Sequence, residues 1–506
     1  MRTGEANEAG RATETKSTAR TSARRGFLML TAAKLLFVAL GFIVQFGLPR
    51  VLGSPSEFGL LSAAMAFTAI LTNALTSSMV QTSSKIVAEH GEIGRTLAAR
   101  HGAIALVLGL ALFLLAPLLG ASLLRDAALV PLLRASSVVI LAYGFYATAI
   151  GTLNGAQRFE TQALVDGTFS TARTIGLLGG ALVLHAALGA MSGFAAAASV
   201  MACVGVFAAK LWQSGQGRAP SWRVHLALLL PLALYQLALN GVLQLDLEAL
   251  KLLANPTHDE AGREAASHAA GLYRAAQTLA FVPYQLMTSI TLVLFPIVSR
   301  ANALGDEKGV EASVSAALRF SWLFLGALLA PLVGAAHGAV RVAFPAAYAE
   351  AADVIPLLAL SQFFFALAVL HATILVGQNL ALRVSAMAVL ALAVGLSTSV
   401  LLASFAHFAT LPLRVALGTC AGSLVFFLAT GASLRSRIQT RLSAITMVRL
   451  CVAGAAAIAV GRFLPQQSVL FGLLAVIGAG IAYIATLALT GEITRDDWSR
   501  LRRPGT

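Results

Sequence analysis

Residues 27–80 read FLMLTAAKLLFVALGFIVQFGL (27–48), PRVLGSPSE (49–57) and FGLLSAAMAFTAILTNALTSSMV (58–80). Two continuous apolar runs, each about twenty residues and so long enough as a helix to cross a bilayer core of about 30 Å, flank a connector too short to fold alone. The pattern repeats along the chain. Working outward from 27–80, further apolar runs fall at 102–124, 129–152, 163–185, 189–212, 225–250, 270–298, 314–336, 352–375, 384–404, 413–434, 447–464 and 468–490, fourteen in all. Barrel strands would be alternating segments of about ten residues; these runs are continuous, so the fold class is an all-α integral membrane protein. Composition agrees, with 58% hydrophobic and 11% charged residues against about 25% charged in a soluble domain.

Charge placement tests the span list independently. With fourteen spans both termini share a side, and placing them in the cytoplasm assigns 23 of the 36 Lys and Arg to cytoplasmic segments and seven to opposite loops, counting span-edge residues with the loops. Six lie inside spans: Lys34, Arg134, Arg173, Arg274, Arg319 and Arg449. That is a positive-inside distribution, so the net charge of +14 is topological and does not call for a nucleic-acid partner. Residues 1–26 are too polar to pack and read as a cytoplasmic tail, as do residues 491–506. The first run continues into Pro49-Arg50 without a small-residue cleavage site, so it is a span and not a secretory signal. Cys203, Cys420 and Cys451 all lie within spans and read as buried small hydrophobes.

An internal repeat organises the chain. Gly59-Leu60-Leu61-Ser62-Ala63-Ala64 in span 2 is echoed by Gly271-Leu272-Tyr273-Arg274-Ala275-Ala276 in span 8, and Thr76-Ser77 by Thr288-Ser289. Leu153 and Gly155 after span 4 correspond to Leu375 and Gly377 after span 10. A six-span shift is even, so it predicts two six-helix lobes in the same orientation, related by a pseudo-two-fold axis along the membrane normal. The expected division is 27–212 for the first lobe and 225–434 for the second, with 447–490 as two additional helices.

Polar residues fall in stripes, since positions three, four and seven apart share a helix face. Span 7 carries Gln236, Asn240, Gln244, Glu248 and Lys251; span 8 carries Arg274, Gln277 and Gln285; span 2 carries Ser62, Asn73, Thr76 and Ser77; span 1 carries Thr31, Lys34 and Gln45. Lipid cannot satisfy such groups, so they are expected to line an interface or a water-filled cavity between the lobes. Arg134, Arg319 and Arg449 lie near span ends and are expected to snorkel. Arg173, deeper in span 5, shares a face with Asp166 and is a candidate for an ion pair with it. Leaving span-edge residues to the loops, the spans hold six cations but only about three acids, Asp166, Asp246 and Glu248, a balance that suits an anionic cargo such as a pyrophosphate, gripped bidentately by Arg and met as a point charge by Lys. The three acids are the candidates for carrying protons or a coupling ion.

Enzyme signatures are missing. No G-x-x-x-x-G-K-[ST], H-E-x-x-H or paired C-x-x-C occurs; Gly176-Leu177-Leu178-Gly179-Gly180 and Gly478-Ala479-Gly480 lie inside apolar spans, where close helix packing accounts for them. His258, Asp259, Glu260, Glu264 and His268 read as a solvated acidic loop rather than a metal site. The expectation is a protein that is not an enzyme and needs no cofactor.

The segment Arg50-Val51-Leu52-Gly53-Ser54-Pro55-Ser56-Glu57-Phe58-Gly59 resembles, with one extra residue before Glu57, the R-x-L-G-x-x-E-[FY]-G signature of bacterial polysaccharide and O-antigen flippases, members of the multidrug/oligosaccharidyl-lipid/polysaccharide exporter superfamily. Gly271-x-Tyr273-x-x-Ala276, Phe295-Pro296, Tyr348-x-x-Ala351 and Asp246 late in span 7 extend the resemblance over about residues 25–435. It implies a flippase that moves undecaprenyl-pyrophosphate-linked oligosaccharides from the inner to the outer leaflet of the bacterial cytoplasmic membrane by alternating access. It also implies membrane lipids as surroundings and a polysaccharide polymerase and export machinery as partners. A peptidoglycan-precursor flippase is the nearest alternative. A multidrug antiporter would be expected to carry an acid in span 1, where Lys34 stands instead. A membrane glycosyltransferase or polymerase would need a sizeable outward loop, and none reaches thirty residues.

Overall fold

The computed structural model describes residues 28–493 except 92, 214–216, 256–258, 304–306, 379, 406–409 and 439–442, with side chains left undescribed over 288–308 and at 310. The expected tail 1–26, most of 491–506, His258 and the side chains of Thr288, Ser289, Phe295 and Pro296 therefore lie outside the description. Among the described residues there is no strand. The helices are α1 Leu28–Leu52, α2 Pro55–His90, α3 Gly94–Pro117, α4 Leu129–Gly155, α5 Phe159–Leu184, α6 Ala187–Ala208, α7 Trp222–Ala254 and α8 Glu260–Ala303. They continue with α9 Glu307–Gly334, a short α10 Ala336–Ala343, α11 Ile355–Gly377, α12 Ala381–Ala403, α13 Leu411–Arg435, α14 Ala444–Phe463 and α15 Val469–Leu489.

Every apolar stretch of the sequence coincides with one of these helices, and 12 described helices are long and apolar enough to cross a membrane. The other two long helices, α5 and α8, carry Asp166 and Arg173, and Arg274, Gln277 and Gln285. Large apolar side chains are widely exposed, Val107 at 66%, Ile175 at 66% and Val183 at 78%. Such a surface is stable against lipid, not against water. The protein is a multi-pass membrane protein. Two of the cysteines correct the sequence reading: Cys203 and Cys451 are exposed on that apolar surface, and only Cys420 is partly covered.

The chain forms two compact units, one of Met1–Leu52 with Phe67–Leu237, the other of Gly53–Ala66 with Ala238–Thr506. In the first, α6 packs against both α4 and α5; in the second, α13 packs against both α11 and α12. These are the same pairings six spans apart, counting membrane spans and passing over the short α10. Small residues let the backbones touch in both. A Cβ at Gly176 or Gly180 would strike the backbone of Gly193 or Gly189, and a Cβ at Gly418 or Gly422 would strike Gly395 or Ala391. The packing expected for Gly176 and Gly180 is what the structure has.

The turn between α1 and α2 needs Gly53, whose φ of 67° lies in the left-handed region. Pro55 then opens α2, a position where its missing N–H costs nothing. One turn later, Gly59 on α2 crosses Gly271 on α8: a Cβ on Gly59 would overlap the carbonyl of Ser267, and one on Gly271 would overlap the carbonyl of Pro55. Tyr348, fully buried, closes the corner with its ring 6.0 Å from that of Phe58, edge to face, and its hydroxyl donating to the Ser54 carbonyl at 3.4 Å. Motif segments almost 300 residues apart thus meet at one crossing.

The last two helices pack on each other and on α9. Beyond α15, the buried Glu492 takes Arg319 Nε at 3.0 Å, Arg449 Nη1 at 3.1 Å and Thr446 Oγ1 at 3.1 Å. Arg319 and Arg449 are therefore bound to a carboxylate, not simply snorkelling; Arg134 is exposed and lies 5.1 Å over the Phe113 ring. Burial pushes the Glu492 carboxyl up, but the hydrogen bonds from Arg319, Arg449 and Thr446 outweigh it and hold it below its ordinary value of 4.5. A depressed carboxyl stabilises the folded state fully above pH 4.5 and loses that contribution as pH falls through its folded value. Glu492→Gln is expected to lower stability at pH 7 by about 2 kcal/mol, the scale of lost charge-assisted hydrogen bonds. The variant and the parent should converge in thermal melting as the buffer is taken well below pH 4.

Candidate functional site

The α7–α8 pair carries a dense polar cluster. Asp246 sits on α7 with both carboxylate oxygens engaged: Tyr273 OH donates at 2.9 Å, Gln277 Nε2 at 2.9 and 3.0 Å, and the Leu247 amide at 2.9 Å. The hydroxyl of Thr419 on α13 has two acceptors in reach, Asp246 at 3.1 Å and the Val415 carbonyl at 3.0 Å. Arg274 does not touch Asp246. Its Nη1 donates to the amide oxygens of Gln244 at 3.2 Å and Gln277 at 3.3 Å, so Gln277 links the cation to the carboxylate. The i, i+3 spacing of Arg274 and Gln277 and their i, i+1, i+4 relation to Tyr273 put all three on one side of α8.

Two residues along α7 from Asp246, Glu248 is buried with neither carboxylate oxygen hydrogen-bonded to a described residue. Lys251, fully buried, donates to Ser267 Oγ on α8 at 2.9 Å. Asn240 and Gln244 are buried; Gln236 and Gln285 are half-buried. A cavity of about 20 Å³ beside Asp246, reached by Ser399 and Thr419, has space for a single water-sized particle.

In the first unit the predicted residues are more scattered. Asp166 accepts from Tyr146 OH at 2.5 Å, and that phenol ring stacks on Phe169 at 4.3 Å. The Arg173–Asp166 ion pair expected from the shared face is not made. Seven residues separate the two by about 10 Å along the helix, and Arg173 turns to the aromatic faces of Phe37 and Phe194, 5.8 and 5.4 Å away, leaving Nε without a hydrogen bond to any described residue. Lys34 is exposed on α1, near enough to Asp166 to act on it electrostatically. Gln45 is half-buried and Asn73 exposed.

Sequence reasoning missed a buried histidine pair. His101 Nε2 on α3 lies 3.1 Å from His225 Nε2 on α7, and His101 Nδ1 is 2.9 Å from Thr148 Oγ1 on α4. The two rings are 124 residues apart in sequence, and the only signal was a histidine at the edge of an apolar span. His225 Nδ1 is buried with no hydrogen-bond partner among the described residues. Tyr273 and Thr419 were likewise unmarked as partners of Asp246, because each is a commonplace residue until the fold brings it there.

Long helices in two units, with recurring pairings, small-residue contacts and a buried polar network on one helix pair, define an all-α multi-pass membrane protein. The family model described as "Polysaccharide biosynthesis protein" matches residues 23–302, more than half of the chain, and the protein belongs to that family. Among solved structures, it is similar over 94% of its length to the whole of "Lipid II flippase MurJ, inward closed conformation", with a TM-score of 0.72 and 14% identity. It is also similar, at 14% identity over 79% of its length and 94% of that chain, to an inward-facing multidrug resistance MATE family transporter of the MOP superfamily, with a TM-score of 0.60. A MOP superfamily transporter from Pyrococcus furiosus gives 0.58 at 14% identity, over 82% of this chain and 96% of that one. At these identities the likeness concerns the fold. A sequence search of curated proteins gave no match.

Proposed function

We propose that the protein is a flippase for lipid-linked oligosaccharides, moving undecaprenyl-pyrophosphate glycans from the inner to the outer leaflet of the bacterial cytoplasmic membrane for polysaccharide export, with both termini cytoplasmic. The family match carries this reading, and the chemistry of the polar cluster supports it. Arg274 is held by two neutral amides, so its charge stays available to a phosphate. In this reading the cargo-binding candidates are Lys34, Gln45, Asn73 and Arg173 in 27–212, and Gln236, Asn240, Gln244, Lys251, Arg274 and Gln285 in 225–434. The polyprenyl tail stays in lipid. Of the three acids, Asp246 is engaged by donors and fixes the α7–α8 geometry, while Glu248, whose oxygens have no hydrogen bond to a described residue, exchanges the proton or cation that drives the cycle.

One observation favours a second cargo, the peptidoglycan precursor: the likeness to a lipid II flippase spans nearly the whole chain. Both cargoes present a pyrophosphate, so the site chemistry is shared and genetics separates them. Deleting the gene should leave lipid-linked glycan accumulating at the inner leaflet while growth and wall synthesis continue; a block in wall synthesis would transfer the assignment to the precursor. Lys34→Gln and Arg274→Gln are each expected to reduce export about tenfold, the loss of about 1.4 kcal/mol of cargo interaction, at unchanged protein level. Arg274→Lys should recover only part, because an ammonium cannot bind bidentately. Full export by the double neutral variant at normal abundance would refute the cationic site.

A further inference from the structure

Within the first unit, α2, α3 and the first half of α7 enclose an open-sided groove of about 420 Å³. Its walls are apolar, formed by residues such as Leu75, Ile104, Val107, Leu230 and Ala233. The one hydroxyl among its lining residues, that of Ser78, donates back to the Ala74 carbonyl at 2.6 Å and has no proton left for a ligand. From Leu229 to Leu237 the groove follows α7 for eight residues, about 12 Å of helix. That is less than half of a hydrocarbon core of about 30 Å, so the groove is short enough to fit within one leaflet.

One end of the groove is marked by charge. Arg100, Ala103, Ile104, Val107 and Leu108 follow one face of α3 at intervals of three and four residues, placing Arg100 one turn beyond the apolar walls. On α7, Trp222 stands seven and eight residues before Leu229 and Leu230, on the same face and at the same end. The Arg100 guanidinium carbon is 4.9 Å from the centroid of the Trp222 ring, and its Nη1 has no hydrogen bond to any described residue. A tryptophan, 47% exposed, beside an arginine at the end of an apolar groove short enough for one leaflet is the arrangement that meets a lipid at headgroup level.

We propose that this groove holds one acyl chain of an anionic membrane phospholipid whose phosphate is bound by Arg100 against Trp222. Length decides the occupant: a chain confined to one leaflet fills the groove, whereas the polyprenyl tail of a cargo extends well past it and must leave at every cycle. Charge decides the headgroup, because a phosphate without a neutralising amine gains most from an arginine that makes no ion pair with any described acid. A bound lipid here would join α3 to the start of α7, the helix that also carries Asp246 and Glu248.

Native mass spectrometry of the full-length protein, released from detergent with phosphatidylglycerol or phosphatidylcholine, reads this directly. One tightly held phosphatidylglycerol is expected, retained at least tenfold over phosphatidylcholine. Arg100→Gln should abolish the preference, and Arg100→Lys should keep part of it. Ala233→Phe, which fills the groove, should remove the bound lipid of either kind. Thermal melting gives a second readout: phosphatidylglycerol should raise the melting temperature of the parent above its value in phosphatidylcholine, and the gap should close in Arg100→Gln. Equal retention of both lipids by the parent, or an unchanged lipid count in a folded Ala233→Phe, would overturn the proposal. So would displacement of phosphatidylglycerol by equimolar polyprenyl phosphate, which would make the groove a cargo site.

Discussion

Alanine at Gly271 is expected to destabilise the protein by about 3 kcal/mol, the upper part of the range for overpacking a close contact, and to lower its abundance in the membrane severalfold. The reason is geometric. The atom that an added methyl would meet is the Pro55 carbonyl at the start of α2, and on the other side Gly59 is pressed equally hard against the Ser267 carbonyl. Neither neighbour is the flexible end of a side chain, so the crossing must open for the methyl to fit. Gly59→Ala should cost as much. In the double variant, losses smaller than the sum of the single ones are expected, since a crossing already forced apart accepts the second methyl more easily. Gly454→Ala is the matched control: nothing lies within 4 Å of its added carbon, and the better helix propensity of alanine should leave stability unchanged or raise it by up to about 1 kcal/mol. Thermal melting of purified protein checks all four; equal effects at Gly271 and Gly454 would show that the close approach does not matter.

The second large effect separates the two neighbouring acids of α7. Asp246→Asn replaces an acceptor oxygen by a donor where Tyr273, Gln277 and the Leu247 amide all donate. At least one donor is then left facing another, and a loss of about 2–3 kcal/mol is expected, on the scale of a charged hydrogen bond broken in a buried site. The result should be less folded protein and, in proportion, less export. Glu248→Gln has the opposite profile. No hydrogen bond to a described residue is lost, because neither oxygen makes one, and an amide costs less to bury than a carboxylate without such bonds, which offsets the lost attraction to Lys251. Stability should hold or rise, while export falls at least tenfold if Glu248 exchanges the coupling ion. Quantifying export per molecule of inserted protein distinguishes the cases. Normal export per molecule in Glu248→Gln would remove Glu248 from the cycle, and an unaltered melting temperature in Asp246→Asn would show that the carboxylate does not organise the α7–α8 pair.

The stretch 27–80 and its successors determined the helices unaided, because a bilayer forces each span to satisfy its own backbone hydrogen bonds and to be apolar for its full length. That requirement is local and leaves its mark residue by residue. The six-span repeat was visible for a similar reason: Gly59 and Gly271 are glycine because backbones touch at them. The sequence presented the two as counterparts, however, and only the tertiary structure disclosed that they face each other across one crossing, with Tyr348 closing over Phe58. Side-chain partnerships were read far less well. Arg173 and Asp166 share a helix face, yet one turned to Phe37 and Phe194 and the other to Tyr146; Arg319 and Arg449, read as snorkelling, share Glu492. Helical spacing says which side a residue is on, but a polar group in a membrane helix takes whichever donor, acceptor or ring the neighbouring helices bring near it. His101 and His225, or Asp246 and Thr419, become partners only after helices far apart in sequence have packed, and periodicity within a single helix holds no information about that.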